Sequence, residues 1–304
     1  MRIAVTGGAG FIGAHLVDRL VDEGHQVMVL DNFSTGNRDF LNPSVRVEEI
    51  DIVDVSAVRE LFFDFKPETV FHCAAMIDLR KSFDNPELGD AVNIGGTQSV
   101  IAASEASGAR QVIFSSSAAV YAPGVAVPIS ESATLAPASP YGAAKLKGEE
   151  MLRRSPLSTV ALRYANVYGP RQGTVGEGGV IAIFSKKLLT GDNLTIFGDG
   201  EQTRDFVYVD DIVEANLRAM RAPEGHYEYN VGTSQETSIN EIVENLLHIS
   251  RKNSIVKHLK SVDGEVLKSS LANDLIAREL DWNASVLIRE GLARTWKWFE
   301  EQYI

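Results

Sequence analysis

Residues 7 to 13 read Gly7-Gly8-Ala9-Gly10-Phe11-Ile12-Gly13, between a short β-branched run and a helical pattern. No other feature constrains the chain as much. A strand that turns into a helix within so few residues needs backbone unencumbered by side chains at the turn. On one side, Arg2–Thr6 reads as a strand; on the other, Phe11–Asp22 repeats apolar residues at helical spacing. The alternation then continues. Gln26–Leu30, Val45–Glu49, Thr69–His72, Gln111–Ser115 and Thr159–Arg163 read as strands, and Ser56–Phe65, Glu87–Ser107 and Tyr141–Arg154 as helices. Strands alternating with helices over this length predict an α/β protein built on a doubly wound parallel sheet of Rossmann type.

Beyond Asn166 the rhythm changes. The stretch Gly169–Gly179 holds five glycines and a proline, strands become short and scattered, and helical patterns return at Val180–Leu189, Asp210–Met220, Asn240–Ser250, Ala272–Leu280 and Val286–Glu301. Long glycine-rich loops in a compact chain tend to line a site. The reading is a nucleotide-binding domain over residues 1–166, with some later segments returning to it, and a smaller substrate-binding lobe over residues 167–304. A chain of 304 residues buries such a core without covalent staples, and its one cysteine, Cys73, excludes both an intrachain disulfide and a cysteine-based zinc site. The six histidines form no metal-ligating pair, so no metal is expected. With 29 basic against 41 acidic residues, a net charge of −12, nucleic acid is not an expected partner. The apolar run at the N-terminus is too short for a signal peptide, and none approaches the ~20 residues of a membrane span. The expectation is a soluble, cytoplasmic protein with no membrane partner.

The glycine turn brings backbone amides and a positive helix end to one point, which suits a pyrophosphate. Asp31 ends the second strand, where a carboxylate would accept hydrogen bonds from a ribose diol and repel a 2′-phosphate. That combination points to NAD rather than NADP. The plainer role for Asp31 is as a turn residue in Asp31-Asn32-Phe33-Ser34. Asp51, just past the third strand, either caps a turn or reaches the adenine edge.

In Ser139-Pro140-Tyr141-Gly142-Ala143-Ala144-Lys145, a serine suited to capping and a proline suited to the first helical position predict a helix start. Tyr141 and Lys145 then stand one turn apart on one face. An ammonium so placed would favour the phenolate and adapt tyrosine, whose free pKa is near ~10, to base catalysis. The plain alternative is a half-buried tyrosine beside a solvated lysine. Phe114-Ser115-Ser116-Ser117-Ala118 ends the fifth strand, at the edge where doubly wound sheets bind ligands, so Ser117 either serves a substrate oxygen or belongs to a serine-rich turn. No serine sits in a Gly-x-Ser-x-Gly elbow, which argues against a hydrolase.

Together these segments resemble the extended short-chain dehydrogenase/reductase superfamily, and within it the UDP-glucose 4-epimerase-like nucleotide-sugar enzymes. The resemblance also runs through His72-Cys73-Ala74-Ala75, Asn93-Ile94-Gly95-Gly96-Thr97, Leu162-Arg163-Tyr164-Ala165-Asn166-Val167-Tyr168-Gly169-Pro170-Arg171, Phe197-Gly198-Asp199-Gly200 and Thr203–Asp211. It implies that Tyr141 exchanges a proton with the sugar 4-hydroxyl, that Ser117 holds the same oxygen, and that Lys145 binds the nicotinamide ribose and lowers the tyrosine pKa. NAD contacts are implied at Gly7, Gly10, Phe11, Ile12, Gly13, Asp31, Asn32, Ser34, Thr35, Gly36, Asp51, Ile52, Ala74, Ala75, Asn93, Ser115, Tyr141 and Lys145. UDP-sugar contacts are implied at Ser117, Tyr141, Asn166 and Arg204, although Arg204 has the plainer option of an ion pair with Asp205 or Asp210.

The expected activity is thus an NAD-dependent UDP-hexose 4-epimerase acting on UDP-glucose and UDP-galactose through a transient 4-keto sugar. The alternatives are another nucleotide-sugar oxidoreductase or modifying enzyme, or a non-catalytic sensor of NAD or nucleotide sugar. Sugar 4,6-dehydratases carry an Asp-Glu pair after the serine, whereas here Ala118 and Ala119 transfer no proton. Related epimerases place an Arg-x-Gly-Asp-like segment on the nucleotide; the matching stretch is Val262-Asp263-Gly264-Glu265, with Lys260 nearby as a point charge. Ser269 falls where a tyrosine restricts relatives to small sugars, which implies room for an N-acetyl group. His72, Cys73, Trp282, Trp296, Trp298 and Phe299 read as packing residues. Small residues at Ala102-Ala103-Ser104 and Ala143-Ala144 imply a homodimer by analogy.

Overall fold

The computed structural model describes residues 1–77, 86–174, 179–261 and 266–302. The strands in chain order are β1 (Arg2–Thr6), β2 (Gln26–Asp31), β3 (Arg46–Glu49), β4 (Thr69–His72), β5 (Gln111–Ser117), β6 (Ser158–Tyr164) and β7 (Asn166–Tyr168). They continue with β8 (Leu194–Phe197), β9 (Thr203–Arg204), β10 (Phe206–Tyr208), β11 (His226–Val231), β12 (Thr237–Ser238) and β13 (Val256–Leu259). Seven of them form one parallel sheet in the order β3-β2-β1-β4-β5-β6-β11. The order reverses between β1 and β4, which opens a crevice at their carboxyl ends.

The helices are α1 (Phe11–Asp22), α2 (Val55–Phe65), α3 (Pro86–Asp90), α4 (Thr97–Ser107), α5 (Pro140–Arg154), α6 (Val180–Thr190), α7 (Val209–Ala219), α8 (Ile239–Ser250), α9 (Asp274–Leu280) and α10 (Ile288–Gln302). Period-two alternation along β1 separates two cores. Ile3 and Val5 join Leu16, Val17 and Leu20 of α1 on one side, whereas Ala4 meets Val58 and Phe62 of α2 and Val100 of α4 on the other. A third core, built from Phe184, Leu188, Ile242, Leu246, Leu292 and Trp296, fills the lobe around α6, α8 and α10. Trp282, Trp296 and Phe299 are buried as expected, and the indole N–H of Trp282 donates to the carbonyl of Asp211 at 2.9 Å.

Two features depart from the sequence reading. The seventh sheet strand, β11, lies far along the chain among the segments read as scattered, yet pairs with β6 over six residues. Its inward Tyr229 and Val231 alternate with polar neighbours, a short signal in a loop-rich region. The helix expected over Glu87–Ser107 is also broken: α3 gives way to a wide π-helical turn at Ala91–Gly96 before α4 begins. There Gly96 lies against Ile52, where a Cβ would come within 2.5 Å of the side chain, and Asn93 is tied by its amide to Met76. Single π turns of this kind concentrate at functional sites.

Candidate active site

The crevice between β1 and β4 is narrow because of the glycine turn. A Cβ on Gly7, whose φ is +67°, would lie 2.6 Å from the backbone nitrogen of Ala74; one on Gly13 would lie 2.2 Å from the carbonyl oxygen of Gly7. Gly10 caps α1 without any side-chain hydrogen bond, and no acidic residue stands in its first turn. The positive end of α1 therefore meets no carboxylate from its own first turn, as a pyrophosphate site requires.

Asp31 is buried at the end of β2. One carboxylate oxygen accepts the amide of Ala9 in the glycine turn at 2.9 Å, and the other accepts the amide of Phe33 at 2.9 Å. It is a turn residue and a carboxylate beside the phosphate turn at once. Gly36 packs so closely that a Cβ would stand 2.8 Å from Asp31 Oδ1. The amide of Asn32 donates to Asp51 at 2.8 Å, and Asp51 also accepts the backbone amide of Val53. Asn32, Ser34 and Thr35 are exposed along this rim, Ile52 is buried beneath it, and Phe11, Ile12, Ala74 and Ala75 are half-buried along the crevice. These residues fit a dinucleotide: amides at the turn, a carboxylate for a diol, and no basic side chain among them for a 2′-phosphate.

Behind the crevice runs a chain of hydrogen bonds that sequence reasoning missed. His72 is fully buried between Thr6 Oγ1 at 2.7 Å and Thr97 Oγ1 at 2.9 Å. Thr97 donates its own proton to the carbonyl of Asn93, so it accepts from His72 Nε2–H; Thr6 then donates to Nδ1 and accepts the amide of Ala74. Burial, followed by repulsion from Lys145, pushes the imidazole pKa down to about 3. The neutral ring thus ties two crevice residues, Ala74 and Asn93, to the sheet. Only a histidine beside apolar strand residues is visible in the sequence; both threonines that give it this role come from other elements. Cys73, next in the chain, is half-buried, and burial raises its thiol pKa.

α5 begins as its sequence dictates. Ser139 accepts the amide of Gly142 at 3.1 Å, and Pro140 occupies the first turn. This start sets Tyr141 beside Ser117 at the tip of β5. Ser117 Oγ accepts the amide of Ala119 in the 3₁₀ turn Ala118–Val120. Lys145, buried one turn along, donates to the carbonyl of Ser115 at 2.6 Å, and its ammonium lies 5.6 Å from the centre of the Tyr141 ring and 4.7 Å from that of Phe114. Burial lowers the lysine pKa to about 8, against the pull of Cys73 and Glu149. The tyrosine differs from the expectation. In the chain by itself, burial pushes the phenol up to about 12, and the lowering influence that opposes it is the Ser117 hydrogen bond rather than Lys145.

Asn166 and Arg204, both expected at the UDP-sugar, come together on the wall of a cavity of about 310 Å³ in the lobe. Phe197, from a segment that carries the resemblance, lines it too, as do Thr195, Gln172, Gln202 and Val180, which were not singled out from sequence. Arg204 Nη1 donates to the carbonyls of Thr203 and Val266 at 2.8 and 2.7 Å. The two carboxylates considered for it are engaged elsewhere: Asp205 takes the amides of Thr233, Ser234 and Leu271, and Asp210 reaches Arg294. Ser117, Tyr141 and Lys145 do not line this cavity. Ser117 is in register with Tyr164, and Asn166 follows two residues later in the chain. Lys260 is exposed, Ser269 is half-buried, and the Val262–Glu265 stretch lies outside the described residues. Among the described residues no cluster of His, Cys, Asp and Glu could hold a metal ion, and no helix is long and apolar enough to cross a membrane.

The chain is similar to known proteins over nearly its whole length. The model of the "NAD dependent epimerase/dehydratase family" matches residues 3–232. A UDP-glucose 4-epimerase of Mycolicibacterium smegmatis is 39% identical over 311 residues, covering 99% of each chain. A crystal structure of the Thermotoga maritima UDP-glucose 4-epimerase with UDP-glucose superposes with a TM-score of 0.97 at 39% identity, over 100% of both chains. The Thermus thermophilus UDP-glucose 4-epimerase in complex with NAD superposes with a TM-score of 0.92 at 34% identity, over 99% of both.

Proposed function

The chain belongs to the NAD dependent epimerase/dehydratase family, and we propose that within it the chain is a UDP-hexose 4-epimerase acting on UDP-glucose and UDP-galactose and admitting their N-acetylated forms. The observation that carries this reading is the placement of Tyr141 beside Ser117 at the tip of β5, with the buried Lys145 one turn along α5.

NAD held along the crevice supplies a hydride acceptor that returns the hydride within the same turnover. The chain's own residues handle the proton. Tyr141 takes it from the sugar 4-hydroxyl as that carbon is oxidised and gives it back when the 4-keto sugar is reduced on its other face. Ser117 donates a hydrogen bond to the same oxygen in both directions. Lys145, fixed by the Ser115 carbonyl, brings a positive charge to a site whose phenol is otherwise hard to ionise. Asn166 and Arg204 hold the nucleotide diphosphate from the lobe, the guanidinium by a planar fork that matches phosphate oxygens. Ala118 and Ala119 follow Ser117 and offer no acid for expelling a 6-hydroxyl, which favours epimerisation over dehydration.

The same reading makes the enzyme a cytoplasmic homodimer, paired through the exposed Ala102 of α4 and Ala143 of α5. The test is incubation with UDP-galactose and, separately, UDP-GalNAc, with products resolved by chromatography while NADH absorbance is followed. Conversion to the gluco isomers without accumulating NADH is expected. Stoichiometric NADH release would replace the epimerase with a net oxidoreductase.

A further inference from the structure

A second group of buried polar residues lies beneath the site and takes no part in the chemistry above. Ser116, Arg163 and Asn230 form a row across β5, β6 and β11: Ser116 is in register with Arg163, and Arg163 with Asn230. Exposure of each is 2% or less. Glu149 of α5, equally buried, closes the row. It accepts Arg163 Nε at 3.0 Å and Nη2 at 2.7 Å, and the hydroxyl of Ser116 at 2.5 Å. The remaining nitrogen of Arg163, Nη1, donates to the hydroxyl of Tyr121 at 3.0 Å and to the carbonyl of Glu131 at 3.3 Å, and Tyr121 in turn donates to Asn230 at 2.6 Å.

Burying an ion pair contributes little to stability, since desolvation consumes most of the Coulomb gain. What this pair does achieve is placement. Strand alternation turns Ser116 away from the face of Ser115 and Ser117, so the Glu149 contact pins the backbone between the carbonyl that receives Lys145 and the hydroxyl that meets Tyr141. Tyr121 pins the chain just after the 3₁₀ turn that follows Ser117. Both ties end on one guanidinium. Glu149 itself lies one turn beyond Lys145 and two beyond Tyr141 on α5, so the same carboxylate fixes the helix against the strand tip.

We propose that Arg163 and Glu149 are positioning residues for the reaction, holding Ser117 in reach of Tyr141 by tying down the chain before it through Ser116 and after it through Tyr121. The proposal rests on the epimerase reading only for its kinetic readout.

The test is the double variant Glu149→Leu/Arg163→Met, which removes both charges together and so leaves no orphaned ion in the core. Its melting temperature should stay within about 5 °C of the parent. With carbon-13 tyrosine, the Cζ resonance of Tyr141, assigned through Tyr141→Phe, should move, because Ser117 shifts relative to the phenol. Turnover should fall about 30- to 100-fold with KM for the UDP-sugar kept within about twofold, as for a reacting group displaced by roughly 1 Å. Ser116→Ala, which deletes one hydroxyl, should give the same resonance shift and a smaller loss of kcat, and it decides the matter if the double variant does not fold. An unmoved Tyr141 resonance in a folded variant overturns the proposal. A parent enzyme inert on every UDP-hexose would overturn the epimerase reading instead, while the resonance still reports on the positioning.

Discussion

Lys145 directs its ammonium to the carbonyl of Ser115, 2.6 Å away, and not to the phenol of Tyr141 that precedes it by one turn on the same helix. The lysine is held by the strand, and the tyrosine faces Ser117 at the strand tip. Tyrosine and lysine thus meet different residues of β5.

Replacing Lys145 by Met should separate stability from activity. The folded-state pKa of Lys145 is lowered from 10.5 to about 8. Between those values the unfolded chain keeps a proton that the native chain has lost, so stability rises with pH across that window; below it the burial penalty applies in full. Lys145→Met abolishes that penalty. At pH 7 the variant should melt no lower than the parent and lose the parent's rise in Tm above pH 8, while its turnover falls by about two orders of magnitude. Calorimetry over pH beside a kinetic assay checks both.

Tyr141→Phe should reduce turnover by about 10²- to 10⁴-fold, the usual range for a positioned acid–base group. Retention of NAD, measured by cofactor release on denaturation, should be unchanged. Ser117→Ala should cost less turnover and move the tyrosine titration upward, since its hydrogen bond is what opposes the burial of the phenol. Normal turnover in Tyr141→Phe would remove the tyrosine from the chemistry.

Much of this site was legible in the sequence because its parts are local. The turn from β1 into α1 is written in consecutive glycines, and the start of α5 in Ser139 and Pro140. What stayed hidden depends on residues distant along the chain. His72 reads as packing until the fold brings Thr6 and Thr97 to its two nitrogens. Arg163 is an isolated charge in a strand until α5 delivers Glu149 and the loop delivers Tyr121. The break at Gly95-Gly96 is local, but two glycines in a helical pattern do not reveal the Ile52 side chain that requires the second of them.

His72 should set part of the acid limb of the stability curve. Its pKa falls from 6.5 unfolded to about 3 folded, so between these values only the unfolded chain takes up the proton. Stability therefore declines as pH falls through that window, by up to about 1.4 kcal/mol for each unit. His72→Gln should be less stable at pH 7, because one of two buried hydrogen bonds is lost, yet its Tm should change less between pH 6.5 and pH 4. Parallel curves for the two proteins would assign the acid sensitivity elsewhere.

Gly13→Ala should abolish NAD retention. The added Cβ would sit 2.2 Å from the carbonyl oxygen of Gly7 and 2.8 Å from the Cα of Gly8, both backbone atoms that no rotamer change can relieve. The helix start must move outward, opening the turn that brings its amides to the pyrophosphate. Purified variant should carry less than a tenth of the parent's cofactor, on the order of the loss expected when a preorganised phosphate turn is displaced.

Sugar size is the last property that one residue should control. Ser269 is half-buried, immediately before Ser270 and Leu271, which pair with Ile129 and the buried Asp205. A larger side chain at 269 therefore cannot be accommodated by moving the backbone, which is fixed on the next two residues. On the epimerase reading, position 269 faces the sugar, and the added bulk would fill that space. Ser269→Tyr should leave kcat/KM for UDP-galactose within about threefold and lower it for UDP-GalNAc by about 10- to 200-fold, the range over which a pocket discriminates by size. Equal losses on both substrates would mean that the tyrosine perturbs the site generally. No loss on either would mean that position 269 does not face the sugar, and the N-acetyl group would then have to be accommodated by another part of the lobe.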